Sequence, residues 1–262
     1  MEEEEKMTPK EIRTLIREER WTKPTSGLAP SYAQANLVIL PKEDAFDFLL
    51  FAQRNPKPCP ILEVLDVGDP KPKIMASDAD IRYDLPKYRI YINGELVDEP
   101  LNIEKYWRDD LVAFLIGCSF SFEWALLEEG IPVRHIENGR NVPMYITNIQ
   151  CIPAGKFRGP MVVSARPIPF NLVTRATLIT SRFPRVHGAP IHIGYPELIG
   201  IRNIMEPDFG DPPIIEEGDI MVFWACGVTP QAIAMQIKLK FMITHSPGHM
   251  FITDIKNSEL TL

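Results

Sequence analysis

Cysteine is scarce in this chain of 262 residues: Cys59, Cys118, Cys151 and Cys226 lie far apart and form no CxxC pair. Neither a disulfide-stapled scaffold nor a paired-cysteine metal site is therefore written in it. Positive charge is in deficit, with 28 Lys and Arg against 35 Asp and Glu, a net charge of −7 and a pI near 5.4. With no basic stripe to offset this, the balance argues against nucleic acid or an anionic membrane surface as partner. There is no glycine-rich phosphate loop and no HExxH, so the usual nucleotide and zinc-protease signatures are missing. The N-terminal MEEEEKM is acidic where a secretory leader would be basic, and a reducing, cytoplasmic setting is expected. Long hydrophobic runs are also rare. Ile220–Ile237 spans 18 residues without a charge, but its centre, Cys226-Gly227-Val228-Thr229-Pro230-Gln231, reads as a turn and a helix start. A buried strand followed by a helix is expected there, not a membrane span.

What the chain has in plenty is proline, 25 residues in all, beside an ordinary 45% hydrophobic and 24% charged composition. Short elements and fixed loops follow. Thr8, Pro9 and Glu11 spell a capping box at the start of a first helix with Ile12, Leu15 and Ile16 on one face. A second helix is predicted from Pro41 to about Gln53. The run from Tyr88 to Val97 alternates around Asn93-Gly94, a hairpin signal. Helical patterns are read at Ile103–Ile116, Ser121–Glu129 and Asn171–Thr180, and strand-like runs at Met144–Cys151, Met161–Ala165 and Ile220–Cys226. The order is irregular, so the predicted class is α+β, with mixed or antiparallel sheets, short helices and two interlocked lobes as one arrangement. A single catalytic domain over 1–262 is the expected organisation. The Pro-rich segment Asn55–Pro72 leaves open an N-terminal lobe over 1–70 and a main lobe over 71–262. The Glu2–Glu5 run reads as a solvated tail.

Chemistry-bearing residues gather in six strings: GCSFSFE (117–123), RNVPMYITN (140–148), GPMVVSARP (159–167), SRFPRVHGAPIHIG (181–194), WACGVTPQ (224–231) and THSPGHMFITD (244–254). At the first, a helix start with Ser119 and Ser121 offers free N–H groups to a carboxylate or simply caps itself. Glu123 reads as a general base or as an acid favoured by the helix dipole, and Cys118 as a nucleophile or an inert buried thiol. Thr229 as cap, Pro230 and Gln231 mark a second such start; together the two could hold both carboxylates of a dicarboxylate. His187, His192, His245 and His249 read as acid–base groups, structural residues or metal ligands, although Pro247-Gly248 forbids a regular helix between the last two. Arg166, Arg182 and Arg185 are candidate carboxylate clamps.

These strings resemble the signature blocks of the D-glutamate cyclase family, over about residues 25–255. The resemblance implies a hydro-lyase that dehydrates D-glutamate to 5-oxo-D-proline, the α-amine attacking the γ-carboxyl with loss of water. Such a reaction needs a base for the ammonium, an acid for the departing hydroxyl and an oxyanion site, and no cofactor or metal. On that footing Glu123 or His249 is expected as base and His187 as acid. Ser119, Ser121, Arg166, Arg182, Thr229 and Gln231 are expected to bind substrate. The expected partner is a small dicarboxylate, with self-association into a homo-oligomer. A metal-assisted hydro-lyase and a non-catalytic small-acid-binding module are the competing readings.

Overall fold

The strand Tyr32–Pro41 (β1) holds the larger of two sheets together. In this computed structural model, which describes residues 7–261, β1 pairs antiparallel with three others: Leu111–Gly117 (β5), Phe241–His245 (β10) and Phe251–Lys256 (β11). The Glu2–Glu5 run lies outside the described residues. Ile61–Val64 (β2) adds to β5, while Tyr88–Ile92 (β3) and Glu95–Asp98 (β4) extend the sheet beyond β10, giving the order β2-β5-β1-β10-β3-β4 with β11 also on β1. The second sheet has the order Met144–Gln150 (β6), Pro160–Pro169 (β7), Asp219–Ala225 (β9), His192–Ile193 (β8). All printed pairings in both sheets are antiparallel, and the short helices between them make the class α+β.

The helices are Pro9–Arg17 (α1), Lys42–Arg54 (α2), Phe120–Glu128 (α3), Arg134–Glu137 (α4), Val173–Ser181 (α5) and Thr229–Gln236 (α6). The capping box at α1 forms as spelled: Thr8 Oγ1 accepts from the Glu11 amide, and Glu11 accepts from the Thr8 amide at 2.8 Å. Asn93 (φ 52°) and Gly94 (φ 79°) turn β3 into β4 in the left-handed conformation that a two-residue hairpin requires.

One expectation fails. Ile103–Ile116 is not a helix; Leu111–Gly117 is β5, between β1 and β2, with every residue buried. A strand covered on both faces is apolar throughout and loses the alternation that would mark it. Strands β1, β10 and β11 carried no strand expectation at all. Residues 55–72 supply β2 to the same sheet that holds β1 and the C-terminal strands, so hydrogen bonding crosses the 70/71 division repeatedly.

The core occupies both faces of the larger sheet. Leu37, Ile39, Leu115, Ile243 and Phe251 pack on one side. On the other, Val38, Leu40, Phe114 and Met242 meet Phe48 and Phe51 of α2 and Ile233 of α6. The Ile220–Ile237 run is β9 followed by α6, and no described helix is long and apolar enough to cross a membrane.

Candidate active site

Two strand-to-helix turns, β5 into α3 and β9 into α6, meet at Asn36 of β1. The Asn36 side-chain amide donates to the Gly117 carbonyl at 2.7 Å. A Cβ on Gly227 would overlap that same amide, so glycine at 227 is what lets the second turn approach. The two helix starts singled out in the sequence are therefore neighbours, with Cys118, Phe120, Cys226 and Val228 in one apolar cluster between them.

Helix α3 carries the polar centre. Spacings of three, four and seven place Phe120, Glu123, Trp124 and Leu127 on one face of a helix, and all four line a crevice of about 200 Å³. Its other wall is the loop with Trp21, Ser26, Leu28 and Pro30. Thr25 pins that loop: its amide donates to the Gly248 carbonyl at 2.8 Å and its hydroxyl to Gln34 Oε1 at 2.8 Å. Gln34 in turn donates through Nε2 to the Thr25 and Leu28 carbonyls, each at 3.0 Å.

At the crevice floor Glu123 is 1% exposed and its two oxygens have different partners. Arg166 Nε donates to Oε1 at 3.0 Å, and Nη2 donates to the same atom. His135 Nε2 stands 3.0 Å from Oε1 without the alignment of a hydrogen bond. Oε2 accepts only from Ser26 Oγ, at 3.3 Å, on the crevice side. Burial alone would push this carboxyl up, but the facing charges of His135 and Arg166, with their hydrogen bonds, outweigh it and hold it below its ordinary value. Glu123 is thus an ionised carboxylate on the floor of an aromatic crevice. Arg166, also 1% exposed, gives its remaining donors to Ser119 Oγ at 3.0 Å and Ser164 Oγ at 3.1 Å. Its guanidinium lies 5.2 Å and 5.3 Å from the Phe122 and Trp224 ring centres. The fork is spent on the protein, so Arg166 orients Glu123 and does not clamp a substrate carboxylate bidentately.

The structure brings Ser119, Glu123 and Arg166 together and separates the other predicted residues from them. Ser121 accepts from the Gln34 amide at 3.0 Å and caps nothing. Thr229 does not cap α6: its hydroxyl donates to the Cys226 carbonyl at 2.7 Å and accepts from the Val162 amide at 3.0 Å, tying the helix start to β7. Gln231 is buried between Tyr91 and the His245 carbonyl, donating to the latter at 2.9 Å. Arg182 is exposed in another groove, with Lys256 and Asn257.

The histidines divide in the same way. His187 is 1% exposed, in a left-handed turn (φ 85°), with Nδ1 2.6 Å from the Lys57 carbonyl. Burial pushes it down to about 4, so at neutral pH it is an uncharged clasp and not the acid expected. His245 sits where β1 changes partner from β10 to β11; Nδ1 accepts from the Leu37 amide at 3.2 Å, and burial pushes the ring down to about 3. His249 is half-buried, its Nδ1 3.0 Å from the Pro247 carbonyl, and burial lowers it too. Neither borders the crevice. Burial pushes the Cys118 thiol well up, so it is no ready nucleophile. Among the described residues, no three His, Cys, Asp or Glu side chains gather as a metal would require.

Sequence reasoning missed His135, Gln34, Asn36 and Ser164. Ser164 and Arg166, two apart in the VVSARP string, share a strand face, and that spacing was the one available signal.

Residues 112–254 match the family described as D-glutamate cyclase. A protein of Thermoanaerobacter sp. (strain X514) is 66% identical over 256 residues, covering 98% of this chain and 97% of its own. One of Geobacillus kaustophilus is 62% identical over 254 residues, covering 97% of each. One of Bacillus subtilis, YcsI, is 60% identical over 256 residues, covering 98% of this chain and 100% of its own. All three bear the name "Putative hydro-lyase".

Proposed function

Since the chain belongs to the D-glutamate cyclase family, we propose that it is a hydro-lyase acting on a small amino dicarboxylate, D-glutamate first, which it closes to 5-oxo-D-proline with loss of water. The observation that carries this reading is the ionised Glu123 carboxylate, with Oε2 turned to an aromatic crevice and Oε1 anchored by Arg166. An ammonium group suits such a floor: the carboxylate attracts it and accepts its proton, and the rings of Trp21, Phe120 and Trp124 favour a cation near their faces.

In this scheme the amine, freed of a proton, forms the N–C bond to the γ-carbon, and the C–O bond to one γ-oxygen breaks. The two protons lost by nitrogen leave with that oxygen as water. The α3 start at Ser119 and Phe120 offers backbone N–H groups and a positive dipole end for the oxyanion. The crevice supplies the folded conformation that brings nitrogen to the γ-carbon.

The test is chiral chromatography after incubation of the purified protein with D-glutamate, L-glutamate and small hydroxy diacids, each with and without a chelator. Appearance of 5-oxo-D-proline from D-glutamate alone is the expected result. Turnover only of hydroxy diacids, or none across the panel, overturns the substrate assignment.

A further inference from the structure

We propose that His135 is a positioning residue that works through Glu123, taking up the proton that Glu123 receives from the substrate and returning it for the departing water. This role rests on the reading of the crevice given above. His135 is 7% exposed, and its Nε2 is buried 3.0 Å from Glu123 Oε1 with no aligned hydrogen bond. A buried ring nitrogen without a partner is a cost that a fold normally avoids. Here the nitrogen stands beside the one carboxylate oxygen that faces away from the crevice, the place from which a proton on Glu123 would be relayed.

The surroundings fix the ring without satisfying it. Arg134, the first residue of α4, makes a forked pair with Asp219 at 3.0 and 2.9 Å, and Asp219 is itself 2% exposed. The His135 carbonyl accepts from the Arg140 amide at 2.8 Å. The imidazole lies against the Phe120 ring, centres 6.3 Å apart. The charged groups turned toward it are Glu123 from α3 and Arg166 behind Glu123 from β7. On its own turn Arg134 faces Asp219 and Glu216, and Glu137 accepts from the Val133 amide.

The bookkeeping closes without another reactant. An ammonium N–H bond breaks as Glu123 Oε2 takes the proton, and Oε1 passes a proton to His135 Nε2. Glu123, again ionised, is free to take the second proton once the N–C bond has formed. Both protons then go to the γ-oxygen, which leaves as water. A carboxylate held below its ordinary value is a weak base alone, and a neighbour that accepts its proton is what a two-proton reaction asks for.

The experiment compares the pH profiles of turnover for the unchanged protein and for His135→Gln and His135→Phe, alongside 15N spectra of histidine-labelled protein. Expected is a loss of kcat of roughly 10²- to 10³-fold with KM little changed, and the disappearance of one limb of the kcat profile. A kcat near normal, or a reduced kcat on an unaltered profile, overturns the role. If the unchanged protein fails to turn over D-glutamate, the substrate reading fails separately and the spectra decide for His135. A proton gained and lost at its Nε2 between pH 5 and 9, at a pH that Glu123→Gln moves, supports the relay. Ring signals constant over that range overturn it, and this measurement needs no folded His135 variant.

Discussion

Arg166 Nε stands 3.0 Å from Glu123 Oε1, and each side chain is 1% exposed. Two opposite charges this deeply buried are held by each other, so removing one leaves the other unpaired in a low dielectric. Glu123→Gln is therefore expected to lower stability by about 3–5 kcal/mol and turnover by roughly 10²–10⁴. Glu123→Gln combined with Arg166→Met should recover much of the stability and none of the activity. Urea midpoints and product assays on both variants check it; recovery of activity in the double variant would remove Glu123 from the chemistry.

The buried histidines make stability depend on pH. His187 is held down to about 4 and His245 to about 3, against an ordinary 6.5, because burial disfavours the charged ring. Below pH 6.5 the unfolded chain binds these protons and the folded chain does not, so stability falls on acidification from about pH 6.5 to 4. Each ring contributes a slope of about 1.4 kcal/mol per pH unit in that window. Urea unfolding at pH 7, 6 and 5 should show the decline. His187→Asn, whatever its absolute stability, should show a shallower one.

Gly227 and Asn36 are fitted to each other at the meeting of the two turns. Gly227→Ala places a methyl group on the Asn36 amide and is expected to cost about 1–3 kcal/mol by overpacking. Asn36→Ala gives the methyl room but orphans the Gly117 carbonyl, which now accepts at 2.7 Å. Together the two changes should cost less than their sum, measured as thermal midpoints of the two single variants and the pair.

Local signals in the sequence were reliable where one short stretch determines the outcome. The Thr8-Pro9-Glu11 cap, the Asn93-Gly94 hairpin and the start of α3 are all written within a few residues. Failure came where burial erases periodicity, as in β5, and where strands are paired across the chain, as β1 is with β10 and β11. The candidate site divides along the same line. Glu123 and Arg166 were visible because a glutamate in an apolar helix and an arginine in an apolar strand are anomalous. His135 was invisible because its meaning lies in a contact 12 residues from Glu123, made by a four-residue helix that no pattern announces. His187 and His249 drew notice by clustering, a property of the chain, while the fold gives them backbone carbonyls for partners.

Cys118 tests whether that site works by acid–base or by covalent chemistry. It stands one residue before the α3 cap, a place that commonly activates a thiol. Here the side chain is 5% exposed and burial raises the thiol well above its ordinary value; the Phe120 amide, donating to Sγ at 3.5 Å, opposes this only weakly. The thiolate is accordingly not formed at neutral pH, and Cys118→Ser, which retains an acceptor for the Phe120 amide, is expected to keep turnover close to that of the unchanged protein. Iodoacetamide should likewise leave Cys118 unmodified in the folded state and label it in urea, as read by mass spectrometry. A folded Cys118→Ser protein without activity would transfer the first step of the reaction from Glu123 to the thiol.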